Sequence, residues 1–162
     1  MKKQNFLVTG GAGFIGSHLV DALLEAGHSV TVLDDLSVGK EQNFAHRRTH
    51  PNFSFIKGSI LDGPLVEHLV AHMDGVYHLA AVVGVKYVVE DPLRGMQVNV
   101  RGTETVLEAA LQRGCKVVIA SSSETYGKSL QVPFAEEDNT VLGATSIPRW
   151  SYAIAKLLDE HL

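Results

Sequence analysis

The stretch WSYAIAKLLDEHL (150–162) sets Tyr152 and Lys156 four residues apart. On a helix that spacing puts both side chains on one face. A free phenol has a pKa of about 10, too high for a base at neutral pH. A lysine ammonium one turn away favours the phenolate, and an opposite charge at that range moves a pKa by roughly 1–3 units. The pair is a candidate proton-transfer device. Near the other end, VTGGAGFIGSHL (8–19) carries two overlapping glycine spacings, Gly10-x-x-Gly13-x-x-Gly16 and Gly11-x-Gly13-x-x-Gly16. Glycines let a backbone turn tightly and approach a pyrophosphate with no Cβ in the way. The N–H groups and dipole of a following helix then favour the anion. About 20 residues on, SVTVLD (29–34) ends in an acid, the position that hydrogen-bonds an adenosine ribose. Asp34 closes the apolar run and is expected to point over the sheet edge, where it would repel a 2′-phosphate. This favours NAD over NADP. Asp35 reads as a solvated turn residue. Asp62, in GSILD, either reaches the adenine amino group or caps the helix after it.

These residues need a scaffold, and the pattern supplies one. Short β-branched runs at 5–9, 29–34, 53–58, 75–81 and 116–123 alternate with helical periods at 14–27, 63–72, 92–114 and 150–162. Leu19, Val20, Leu23 and Leu24 form the apolar stripe of the first helix, and Gly27 closes it. The segment GKEQNFAHRR reads as a short polar helix or loop. Strict alternation of strand and helix predicts an α/β fold, a doubly wound parallel sheet covered on both faces. Gly95 and Gly102 each weaken the long helix by about 1 kcal/mol relative to alanine, and close approach of another helix would account for both.

Composition narrows the classes. The 162 residues carry a net charge of −4, with 45% hydrophobic and 20% charged residues. That is an ordinary globular balance for one domain, and it gives no basis for a nucleic-acid or anionic-membrane partner. Cys115 is the only cysteine, so no internal disulfide forms. With no signal peptide and no apolar run near the roughly 20 residues of a membrane helix, a cytoplasmic protein is expected. His68/His72 and His46/His50 are spaced four apart without a third ligand at a telling distance, and His78 reads as a packed strand-end residue. No metal site is expected.

The motifs TGGAGFIGSHL, LDDLS, HLAA, DPL…NVRGTETVLEAA, SSSETYG and YAIAK stand in the order and spacing of the extended short-chain dehydrogenases/reductases. Within them the chain resembles the nucleotide-sugar epimerase/dehydratase group, over nearly its whole length. The resemblance implies a Rossmann domain, a bound NAD, a nucleoside-diphosphate sugar substrate, most simply a UDP-sugar, and a 4-keto intermediate. It implies that Gly10, Gly13 and Gly16, with Phe14 and Ile15 at the helix start, line the pyrophosphate. Asp34 would hold the ribose, Asp62 with Ile60 or Leu61 would flank adenine, and Ala80 and Ala81 would leave room for the cofactor. Asn99 would steady the active-site backbone. Ser122, Tyr152 and Lys156 would be the catalytic set, with Lys156 also on the nicotinamide ribose. A homodimer built on the long helix and the last helix is implied. Residues 1–162 would then be the cofactor-binding domain, the later substrate lobe lying outside this chain.

The fate of the 4-ketone separates epimerases, 4,6-dehydratases and uronate decarboxylases. Glu124 sits where dehydratases and decarboxylases carry an acid, and Ser123 replaces the first acid of the dehydratase pair. Ser-Glu and IPRWSYAIAKLLDE look more like the UDP-glucuronate decarboxylase pattern, with an epimerase or dehydratase as alternatives. A third alternative is a cofactor-binding module that is inactive by itself.

Overall fold

The computed structural model describes residues 2–84 and 89–162. Its contacts divide the chain into two compact units, 1–80 with 102–120 and 81–101 with 121–162.

The first unit holds the whole sheet. Strands β1 (Asn5–Thr9), β2 (Ser29–Asp34), β3 (Phe53–Lys57), β4 (Gly75–His78) and β5 (Lys116–Ile119) lie in the order β3-β2-β1-β4-β5. Every pairing is parallel, as between Val8 and Val32 or Val8 and Tyr77. The chain moves outward from β1 to β3 and then returns to the other side of β1. The order therefore reverses beside β1, the point where doubly wound sheets bind ligands. Helix α1 (Phe14–Glu25) lays Val20, Leu23 and Leu24 on Val8, Val30 and Val32, with Leu19 partly buried beside them. Gly27, with φ +86°, takes the left-handed conformation that ends the helix. A 3₁₀ helix at Glu41–Arg47 follows β2 and buries Phe44 against Phe53 and Phe55. Helices α2 (Gly63–Val70) and α4 (Gly102–Arg113) pack on each other.

The stretch expected as one helix over 92–114 is three pieces. Helix α3 (Pro92–Met96) passes into a π-helical turn at Gln97–Arg101 and then into α4. Such turns are uncommon and cluster at functional sites. Gly102 is needed, but by a side chain and not by a helix, because a Cβ there would collide with Ile60. Nothing lies within 4 Å of a Cβ at Gly95, so close approach does not explain it. Strands β4 and β5 also stop earlier than the apolar runs that encode them, leaving 79–81 and 120–122 as extended connections.

The second unit is less regular. It comprises α3, the π turn, a 3₁₀ turn at Ser123–Tyr126, a long connection and helix α5 (Trp150–His161). The connection is tied down by a single bridge from Gly127 to Val141 and by the Tyr126 ring stacked on Phe134 at 4.5 Å. No described helix is long and apolar enough to cross a membrane.

Candidate active site

In the first unit the site is built mainly from backbone. The chain leaves β1, turns at Gly10 (φ +70°) and enters α1 at Phe14. A Cβ at Gly10 would lie 2.7 Å from the Ala80 nitrogen, and one at Gly16 would lie 2.3 Å from the Gly10 carbonyl oxygen. Gly10 thus admits the chain after β4, and Gly16 lets α1 close on the loop. Gly13 caps α1 with no side-chain hydrogen bond, and the first turn carries no acid. A helix start of this kind suits an anion. Phe14 and Ile15 are strongly exposed there.

Asp34 does more than the sequence indicated. Instead of reaching over the sheet edge it is buried, and its two oxygens accept the N–H of Ala12 at 3.0 Å and of Leu36 at 2.9 Å. It braces the glycine loop from below. Burial pushes its carboxyl above the usual carboxylate range and Asp35 adds to this, against the pull of the two N–H bonds. A carboxylate has about four acceptor positions, so capacity remains for ribose hydroxyls. Asn43 donates from its side chain to the Ala12 carbonyl at 2.7 Å, a second brace from the 3₁₀ helix. The residues present therefore fit a dinucleotide: an uncapped helix start, a turn shaped by glycine and a braced carboxylate. Asp35 accepts only from Ser37 among the bonds described, as a turn residue does. Asp62 caps α2, accepting from Leu65 N–H at 3.2 Å.

His78 belongs to a buried polar chain. Its Nδ1 meets the Thr9 hydroxyl at 2.8 Å and its Nε2 meets the Thr103 hydroxyl at 3.1 Å, while the Thr9 hydroxyl accepts the Ala80 N–H. The segment after β4 is thereby fixed to the end of β1. Composition gave no signal for this chain. His68 and His72 meet ring edge to face, and no group of three metal-ligating side chains exists among the described residues.

In the second unit the site is made of side chains. Asn99, on the π turn and 1% exposed, accepts the Val82 N–H at 2.7 Å and donates to the Val82 carbonyl at 3.1 Å. It closes the backbone next to half-buried Ala81 as a paired strand would. Ser122 begins the 3₁₀ turn, its hydroxyl accepting the Glu124 N–H at 3.2 Å. Tyr152 stands beside Ser122, and Lys156 follows one turn later on α5.

The electrostatics of this set differ from expectation. Burial raises the Tyr152 pKa above its ordinary value, and the negative charges of Glu124 and Asp159 add to the rise. The hydrogen bond with Ser122 pulls the other way. The Lys156 ammonium, 3% exposed, donates to the Asp159 carboxylate at 3.1 Å. The lysine charge is thus shared with an acid in the chain's own fold. The spacing of Lys156 and Asp159, three apart, was a legible signal. Glu124 is paired as well: an Arg149 Nη atom lies 3.3 and 3.2 Å from its two oxygens. Arg149 falls in the IPRWSYAIAKLLDE stretch, but no spacing singled it out. Ser121 also bonds Glu160, joining the turn to α5.

A parallel sheet reversing beside β1, read with the glycine turn below it and the Tyr–Lys helix, defines an extended short-chain dehydrogenase/reductase. More narrowly, a family model described as GDP-mannose 4,6 dehydratase matches residues 7–162, and the chain belongs to that family. A UDP-N-acetyl-alpha-D-glucosaminuronate decarboxylase of Bacillus cytotoxicus is 46% identical over 160 residues, 99% of this chain and 49% of the relative. Among solved structures, a UDP-N-acetylglucosamine 4-epimerase from Methanobrevibacter ruminantium, in complex with UDP-N-acetylmuramic acid, superposes with a TM-score of 0.89 at 36% identity. That match covers 99% of this chain and 49% of that one. A UDP-glucose 4-epimerase from Stenotrophomonas maltophila, with bound NAD and formylated UDP-arabinopyranose, gives 0.85 at 32% identity, covering 98% and 47%. The chain spans about half the length of each of these three relatives.

Proposed function

We propose that residues 1–162 form the cofactor-binding part of an NAD-dependent nucleotide-sugar enzyme that works through a 4-keto sugar, with a UDP-uronate as the preferred substrate and decarboxylation as the reaction. The observation that carries this reading is the grouping of Ser122, Glu124, Tyr152 and Lys156 in one unit. Glu124 stands on the same turn as the hydroxyl beside Tyr152. The 46% identity to a uronate decarboxylase supports the choice of substrate class, and the NAD in the Stenotrophomonas epimerase supports the cofactor.

Bound NAD supplies the hydride acceptor for sugar C4. Gly10, Gly13 and Gly16, with the α1 start at Phe14 and Ile15, hold the pyrophosphate. Asp34 holds the ribose and disfavours a 2′-phosphate, and Asp62, Ala80 and Ala81 border the cofactor. Asn99 keeps the Val82 backbone in place. Tyr152 takes the proton of the 4-hydroxyl, Ser122 hydrogen-bonds the same oxygen, and Lys156 stabilises the phenolate and binds the nicotinamide ribose. Once C4 is a ketone, a C6 carboxylate is β to it and leaves as CO₂. Its bonding electrons become the C4–C5 enolate, whose oxygen Ser122 and Tyr152 bond. Glu124 serves the proton at C5. The protein is placed in the cytoplasm, as a homodimer.

The test is product analysis with UDP-glucuronate, UDP-N-acetylglucosaminuronate, UDP-glucose and dTDP-glucose, using the complete protein that carries this chain. CO₂ release from a uronate is expected. Epimerised UDP-glucose as the sole product would replace this reading by the epimerase one, which the two superposed epimerase structures favour. Dehydration of dTDP-glucose alone would favour a dehydratase.

A further inference from the structure

Glu124 is held by an arrangement that extends beyond the catalytic set. Trp150, 8% exposed at the start of α5, is seated against Gly143 so closely that any Cβ there would collide with the indole nitrogen. The Arg149 guanidinium lies over that indole ring, 5.1 Å from the ring centroid. From there its Nη atom faces both Glu124 oxygens. The order of support is therefore Gly143, Trp150, Arg149, Glu124. A stacked guanidinium has already lost much of the rotamer freedom that an exposed arginine retains. Both side chains of the pair are more than a third exposed, 48% for Arg149 and 38% for Glu124, so the pair adds little to folding stability. Its effect is geometric.

Building on the proposed function, we propose that Arg149 is a positioning residue for the C5 step: it acts through Glu124, fixing where that carboxylate faces, and does not act on hydride transfer at C4. The class of reaction it serves is proton transfer at the carbon next to the 4-ketone. Lys128, whose ammonium lies 5.7 Å from the same indole centroid, is a second cation on Trp150 but has no described bond to Glu124.

The two steps separate experimentally. Hydride transfer is read as the absorbance of reduced NAD in a single turnover, and the C5 step as CO₂ release or as solvent deuterium entering C5. Arg149→Met keeps a stem over Trp150 and removes the guanidinium. It is expected to slow the C5 step about tenfold, the size of a typical contact-pair coupling, with hydride transfer, read above the Tyr152 pH limb, changed far less. Arg149→Lys should recover part of the loss, since it restores charge without the planar stack. Glu124→Gln combined with Arg149→Met should be no slower than Glu124→Gln alone. A C5 step unchanged in Arg149→Met, or losses that multiply in the double variant, overturns the proposal. Arg149→Gln provides the same comparison should the methionine variant melt early. Failure of the unsubstituted protein to oxidise any nucleotide sugar at C4 would instead overturn the proposed function, and this inference with it.

Discussion

The two units solve the problem of placing functional atoms in opposite ways. In the first, the proposed working groups are peptide N–H groups at a helix start, shaped by glycines and braced from beneath by Asp34 and Asn43. In the second, the candidate groups are side chains on a 3₁₀ turn and on α5, paired with other side chains, Glu124 with Arg149 and Lys156 with Asp159, while Asn99 holds the Val82 backbone. Backbone sites derive their precision from the sheet and tolerate change outside the glycines and the side chains that brace them. Side-chain sites derive it from pairings, and each pairing is a separate point of failure. Substitutions should therefore split binding from chemistry largely according to unit, with Lys156 belonging to both.

The largest effect is expected at Tyr152. Tyr152→Phe should lower kcat by about two to four orders of magnitude while calorimetry finds NAD affinity nearly unchanged. A matching loss of NAD binding would break the division between units. Next comes Lys156→Met, which strips a buried acid of a partner. Removing one member of such a pair costs about 3–5 kcal/mol, so thermal unfolding should shift far more than for Tyr152→Phe, and Asp159→Asn added to it should restore part of the loss. Gly16→Ala in the first unit forces a methyl onto the Gly10 carbonyl. Overpacking of this kind costs about 1–3 kcal/mol, and NAD affinity should fall with the melting temperature. Smaller still is Asp62→Ala, a lost helix cap worth about 1 kcal/mol. Asp62→Ser keeps a cap but not a carboxylate. If serine restores stability and not NAD affinity, Asp62 also contacts the cofactor.

The smallest expected effect is a shift of pH dependence. Burial first, then Glu124 and Asp159, raise the Tyr152 pKa, so its phenolate is scarce at neutral pH. A base used in its deprotonated form gives C4 oxidation that speeds up as pH rises. Glu124→Gln removes one negative neighbour, and the rising limb should move to lower pH. A limb that stays in place would deny the electrostatic link between Glu124 and Tyr152.

The same contrast explains what was legible in the sequence. The five strands, α1 with its stripe and its Gly27 stop, and the glycine turn follow from periodicity and from backbone rules that act locally. The α5 helix was legible because Tyr152 and Lys156 are spaced by helix geometry. The π turn was not, because Gln97–Arg101 has no composition that separates it from the α-helix on either side. Asp34 stood out as a candidate, but the direction of its carboxylate did not. Whether a carboxylate faces a ribose or a loop N–H depends on the path of residues 10–13 and 35–39, which no local pattern encodes. The Arg149 pairing was invisible for a related reason: the residue meets Glu124 across 25 residues of irregular chain.

Ser122 accepts the Glu124 N–H within its own turn. With that acceptor position taken, the hydroxyl hydrogen is turned away from the Glu124 N–H, and the side toward Tyr152 is one of the directions left to it. The turn thus narrows the directions open to an otherwise freely rotating hydroxyl before any substrate arrives. Threonine at 122 would preserve that sense of direction. Alanine would lose the turn's first hydrogen bond and the directed proton together, from the loss of a single oxygen atom.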